Sequence, residues 1–299
     1  MEKIVILLTL ALCGCNALYI DDLITNRITN AEVAPIENFN YSISLQRLSE
    51  LAQPTRGHVC GGVLITLQHA LTAATCAFQV INGVLFQIDV SQHRVFAGAT
   101  MLTNDTDTNR IRPIANITIH PGYIHPPSSL NNIAIITLTT PYLNTIGTPL
   151  ALPAANFDPA DFTVCQIASW GAESIHENAS VSLRATNKFI YSHNLCRSVY
   201  SQRPFTVNVF PSMICAATLD VVSSGCYGDE GVPLVCNGVL TGILFETNQC
   251  AFAASPEVYT RVSNYTEWIR SISGSPGLRP EISFLGVVAI VIAMFVSKV

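Results

Sequence analysis

The chain has 299 residues, enough for one large all-β domain or two small ones with a sizeable core. Charged residues make up only 12 %, against the rough quarter usual in soluble domains. The mild net charge of −5, with no Lys/Arg run, argues against a nucleic-acid partner. A polar exterior must then come from elsewhere. Five Asn-x-Ser/Thr sequons, at Asn40, Asn104, Asn116, Asn178 and Asn264, would supply it as glycan acceptors in an exported chain, with several rather than all expected to be used.

The first residues read as an export signal over residues 1–17: Lys3 precedes the apolar run Ile4 to Leu12, and Cys15-Asn16-Ala17 supplies a small-residue cleavage site. The run is too short to span a bilayer. In a bacterial chain, Leu12-Cys13-Gly14-Cys15 would read instead as a lipoprotein signal. Removal of residues 1–17 leaves eight cysteines, Cys60, Cys76, Cys165, Cys196, Cys215, Cys226, Cys236 and Cys250, an even number that argues for four disulfides. They lack paired C-x-x-C knuckles, so no metal site is expected, and no motif implies a cofactor.

Short β-rich runs follow, among them Tyr41 to Leu45, Val63 to Ile65, Ile133 to Leu138 and Val239 to Phe245, punctuated by Gly, Pro and Asn as in barrels or sandwiches. Between Pro256 and Ile272, apolar residues at three- and four-residue spacings, from Val258 through Trp268 to Ile272, predict a closing helix in the second half. Beyond it, residues 273–299 hold small residues, a spacer from Pro276 to Glu281, and the apolar run Ile282 to Val296. As a helix that run would reach about 22 Å, short of a hydrocarbon core of about 30 Å. It fits two devices, a glycosylphosphatidylinositol attachment signal whose tail is removed or a short single span, and both place the domain on a membrane.

From Ile28 to about Ile272 the sequence resembles the trypsin/chymotrypsin family. Arg27-Ile28-Thr29-Asn30 is similar to a zymogen activation site, His58-Val59-Cys60-Gly61-Gly62 and Leu71-Thr72-Ala73-Ala74-Thr75-Cys76 to the segments around the catalytic histidine, and His120-Pro121-Gly122-Tyr123 with Asn131-Asn132-Ile133-Ala134 to the aspartate segment. Ser169-Trp170-Gly171, Gly228-Asp229-Glu230-Gly231-Val232-Pro233 and Val258-Tyr259-Thr260-Arg261-Val262 follow in family order. The resemblance implies two six-stranded antiparallel β-barrels with a C-terminal helix and a cleft between the barrels. It implies a short propeptide over residues 18–27, which has no cysteine and so is no clip-type module, and a protease-like domain over 28–272. It also implies the pairing Cys60 with Cys76, Cys165 with Cys236, Cys196 with Cys215 and Cys226 with Cys250.

The chemistry departs from the scaffold. Acyl transfer by this family needs a hydroxyl nucleophile, an imidazole to carry its proton and a carboxylate to orient the imidazole. By the resemblance these positions hold Glu230, Thr75 and Asn132. Threonine is no general base near neutral pH, asparagine cannot stabilise an imidazolium, and a glutamate would give a readily reversed mixed anhydride. A carboxylate at 230 would also repel a developing oxyanion or occupy its hole. His58, His69, His93, His120, His125, His176 and His193 fall at none of the three positions.

The specificity pocket differs as well: Ser224 stands where trypsins carry an aspartate, and Thr247 and Glu257 add side chains where the family leaves space, implying a narrowed or filled pocket. Val232 replaces a glycine of the motif. Arg27, Ile28 and Asp229 are retained, so cleavage after Arg27 would free an α-amino group for the family's internal ion pair. Glu230, Glu246 and Glu257 are expected to be separately solvated or salt-bridged rather than to form a cation site, since calcium normally takes six or more oxygens. The expected function is that of a non-catalytic homologue binding another protein, such as an active protease, its inhibitor or a substrate. The alternatives are a working endopeptidase of this family and an adhesive surface glycoprotein.

Overall fold

A computed structural model of the chain describes residues 32–172, 178–202, 207–218, 226–247 and 256–274. The export signal, the propeptide with Arg27, Ile28, Ser224, Cys250 and the apolar tail lie outside the described residues. In chain order the first half forms β1 (Glu32–Val33), β2 (Ser42–Arg47), β3 (His58–Leu64), β4 (His69–Thr72), β5 (Phe78–Ile81), β6 (Val84–Gln87), β7 (His93–Ala97), β8 (Ile111–Ile119) and β9 (Ala134–Leu138). The second half forms β10 (Val164–Ser169), β11 (Arg184–Tyr191), helix α1 (His193–Ser201), β12 (Met213–Ala217), β13 (Pro233–Cys236), β14 (Val239–Glu246), β15 (Glu257–Arg261) and helix α2 (Thr266–Ser273).

Both expected barrels are present. The first closes in the order β2-β3-β4-β9-β8-β7; the second runs β11-β10-β13-β14-β15-β12 and closes through β11 and β12, with β1 added at the edge of β11. Strand periodicity explains the first barrel's lining: Ile43 and Leu45 of β2 point inward and are fully buried, with Leu64, Leu71 and Ile135 in the same cluster. The alternate residues of β2 are polar yet also buried, and two of them hold partners: Ser44 Oγ meets His58 Nδ1 at 2.7 Å, and Gln46 Oε1 accepts from Arg94 Nε at 2.8 Å. Arg94 in turn pairs with Asp105 at 2.7 Å.

Three of the expected disulfides are in place, Cys60–Cys76, Cys165–Cys236 and Cys196–Cys215. Cys226 is disulfide-bonded too, its expected partner Cys250 lying outside the described residues. Each closure is typically worth about 2–4 kcal/mol, and such bonds persist in oxidising compartments. The predicted C-terminal helix is α2, ended by Gly274 in the left-handed conformation (φ 63°), with Ile269 fully buried. Four sequon asparagines, Asn104, Asn116, Asn178 and Asn264, are exposed, and Asn40 is half-buried.

Two elements were not anticipated. Helix α1 is short, and tertiary ties hold it: the Cys196–Cys215 bridge to β12 and a hydrogen bond from Tyr200 Oη to the Pro256 carbonyl at 2.8 Å. The β5–β6 hairpin did leave a signal in the sequence. Asn82 (φ 52°) and Gly83 (φ 78°) both take positive φ, the signature of the two-residue turn that Asn-Gly favours.

Candidate functional site

The site lies where the barrels meet. The first barrel contributes Thr75, in the 3-10 turn after β4 (Ala74–Ala77), and Asn132, just before β9; the second contributes the 228–233 turn and the ends of β14 and β15. Asn132 is fully buried and bridges both halves: its Oδ1 accepts from the Thr75 N–H at 3.0 Å and its carbonyl from Thr260 Oγ1 of β15 at 2.7 Å. The Thr75 hydroxyl and the Asn132 side-chain nitrogen are buried without a hydrogen-bonding partner among the described residues. A small hydroxyl and an amide thus stand together, at the positions that the resemblance alone pairs with imidazole and carboxylate.

The turn that carries Glu230 is shaped by glycine. Gly228 (φ 89°) and Gly231 (φ 87°) occupy the left-handed region, and a Cβ on Gly231 would come within 2.2 Å of Thr72 Oγ1 and 2.3 Å of the Gly61 carbonyl. The Gly61 N–H donates to the Glu230 carbonyl at 2.8 Å, fixing the turn against β3. Val232, expected as a further constraint, is buried against Gly61: a Cβ on that glycine would lie 2.3 Å from Val232 Cγ1.

Glu230 folds back on its own turn. Its Oε2 accepts the Gly228 N–H at 3.1 Å, and its own backbone N–H also bonds the carboxylate. Burial raises the Glu230 carboxyl above its ordinary range, while the two N–H groups act in the opposite sense. Glu246, at the end of β14, is pushed up to about 7, first by burial and then by the charge of Glu230. Glu230 and Glu246 share no hydrogen bond; the link between them is one of charge acting at a distance.

Glu257 turns elsewhere. Its Oε1 meets Lys188 Nζ at 2.7 Å, both side chains being almost fully buried, and Tyr259 Oη donates to its other oxygen. Lys188, on β11, was missed in the sequence because its pairing with residue 257 crosses the barrel. Thr247 is half-buried at the cleft, and Ser224 lies outside the described residues.

Asp229 is buried beside Glu230. It accepts from the Cys226 N–H at 2.6 Å and is hydrogen-bonded by the Ser169 side chain, and a Cβ on Gly171 would fall 1.9 Å from its Oδ1. Burial pushes its carboxyl up to about 7. A carboxyl whose folded value is raised gives stability that is complete below its unfolded value near 4 and is lost as pH rises through the folded value. The chain left intact at Arg27 is accordingly expected to lose stability between about pH 4 and about pH 7, and Asp229→Asn to flatten that loss, in urea unfolding at pH 5 and pH 8. An identical pH profile for parent and variant would contradict the assignment.

Three of the described histidines are held in packing contacts. His58, driven down to about 4 by burial, is held between Ser44 Oγ on Nδ1 and the Gly228 carbonyl on Nε2, at 2.9 Å. His120 packs against Tyr265 and Trp268, and His125 against Phe78 and Tyr123.

Comparison with known proteins agrees with this architecture. A family profile described as Trypsin matches residues 28–269. The chain is 30 % identical to trypsin alpha of Drosophila erecta over 279 residues, covering 92 % of this chain and all of that protein. It is 32 % identical to a snake venom serine protease of Crotalus durissus durissus over 237 residues, 77 % of this chain and 84 % of the other. Among solved structures it is similar to neuropsin, a serine protease of mouse brain (TM-score 0.66, 28 % identity, covering 81 % of this chain and 98 % of that one). It is also similar to human heparin binding protein (TM-score 0.65, 26 % identity, 84 % and 99 %).

Proposed function

The chain belongs to the trypsin-like serine protease family, and from that premise we propose that it is a member that binds rather than cuts. In this reading it is an exported, glycosylated domain, held at the cell surface by the segment after Gly274, whose cleft and loops engage another protein: an active protease, its inhibitor or a substrate. Cleavage after Arg27 would deliver an α-amino group to Asp229. The observation that carries the reading is the Glu230 carboxylate lying on the N–H groups of residues 228 and 230. It takes the place of the nucleophile and of the oxyanion at once, beside a threonine and an asparagine that can neither accept the proton nor orient an acceptor. Loss of serine or histidine alone removes about a millionfold in this chemistry.

The names of the relatives favour a second reading, a working serine endopeptidase. One similar structure is instead named for what it binds, heparin, although the net charge of −5 here offers no general basis for a polyanion. A fluorophosphonate probe and a broad peptide library, applied to the chain cleaved after Arg27, separate the readings. Neither labelling nor turnover is expected. Labelling together with turnover would establish the endopeptidase.

A further inference from the structure

The β5–β6 hairpin stands apart from both barrels as a separate two-stranded sheet. Five of its large apolar side chains, Val80, Ile81, Val84, Leu85 and Phe86, are 44 to 68 % exposed. The register pairs Val80 with Leu85 and Ile81 with Val84, and Phe86 opposes Gln79. Strand alternation puts Val80 and Leu85 on one face and Ile81, Val84 and Phe86 on the other. The finger is thus apolar on both faces, and no charged residue occurs from Ala77 to Ile88. A surface that docks on a flat partner needs one apolar face; apolarity on both faces suits insertion into a medium that is apolar all round.

The base of the finger is tied to the helix that precedes the tail. Phe78 stacks on Tyr123 (6.0 Å between ring centroids) and meets His125 edge-on (4.6 Å). The Tyr123 N–H donates to the His120 carbonyl, and the His120 ring packs on Trp268 of α2 at 4.9 Å. The hairpin and α2, which leads into the apolar run Ile282 to Val296, are therefore joined through one short turn.

We propose that the β5–β6 hairpin dips its tip into the interface of a zwitterionic lipid bilayer, as a second contact beside the C-terminal tail. The inference rests on the reading that the tail attaches the chain to a membrane. Strands of four residues extend about 13 Å, which reaches the boundary of headgroups and acyl chains and leaves the open strand edges within reach of water. Stable attachment generally takes two such signals.

The test uses the full chain, tail included, reconstituted on phosphatidylcholine vesicles with brominated acyl chains. Leu85→Trp places a reporter at the tip, and the parent chain supplies the background from Trp170 and Trp268. The emission of the introduced indole is expected to shift to the blue and to lose most of its intensity to the bromines. Adding Val80→Glu and Val84→Glu should abolish that quenching while the chain still sediments with the vesicles. Sedimentation with the reporter indole unquenched would overturn the hairpin's role and leave tail attachment standing. A chain that does not sediment with vesicles overturns both. A blue-shifted but unquenched reporter in a chain that sediments as a dimer would mean that a second copy covers the finger, and would also overturn the proposal.

Discussion

Lys188→Met is expected to destabilise the domain by about 3–5 kcal/mol, read as a lower urea midpoint at unchanged slope. Lys188 and Glu257 are almost fully buried and 2.7 Å apart, so removing the ammonium takes a close counter-charge from a carboxylate in low dielectric, with the Tyr259 hydroxyl on its other oxygen. Glu257→Gln in the same background should recover most of the loss, because the amide keeps an acceptor for Tyr259 without a charge to solvate. The pair is replaceable although breaking it is costly: buried ion pairs often contribute little over neutral groups of similar volume. A single Lys188→Met variant within about 1 kcal/mol of the parent would mean that water reaches Glu257, and the reading of a desolvated pair would fail.

Restoring the three family positions together, Thr75→His, Asn132→Asp and Glu230→Ser, is expected to leave peptide turnover poor, and Glu230→Ser alone is expected to restore none. The single change removes the carboxylate from the N–H groups of residues 228 and 230, but leaves the new hydroxyl with a threonine and an asparagine for company. Without an imidazole the serine stays protonated, and about a millionfold is forgone. The triple variant should react slowly with a fluorophosphonate, since nucleophile, base and oxyanion donors would then coexist. Peptide turnover should lag behind labelling, because by the resemblance Thr247 and Glu257 add side chains to the specificity pocket where the family leaves space. Robust turnover by the triple variant would contradict the claim of an obstructed pocket. Labelling of the Glu230→Ser chain would reveal a base that the geometry does not include.

Much of the architecture was legible in the chain. Short β-rich runs bounded by Gly, Pro and Asn marked β2, β9 and β14, the spacing from Val258 to Ile272 marked α2, and the resemblance ordered the cysteines, because each of these signals is local or is carried by a motif. The hairpin was not anticipated although Asn82-Gly83 signals its turn, and its register and its apolarity on both faces emerge only once the strands are paired. Helix α1 was missed because its nine residues offer only one short stripe, Cys196, Val199 and Tyr200, and what holds it, a disulfide to β12 and a hydrogen bond from Tyr200, is tertiary.

Residue order, through the resemblance, is what assigns Thr75, Asn132 and Glu230 to the reactive positions, and the proposal of a non-cutting member starts from that assignment. What those side chains do instead is settled by how the strands come together. Glu230 turns back onto the N–H groups of its own turn, Glu246 comes near enough to feel its charge, and Glu257 leaves the cleft for Lys188 on a strand 69 residues earlier. The physical reason is that short-range pattern sets which way a strand residue points, whereas long-range strand pairing sets which charges share one low-dielectric space, where partner and distance govern the outcome.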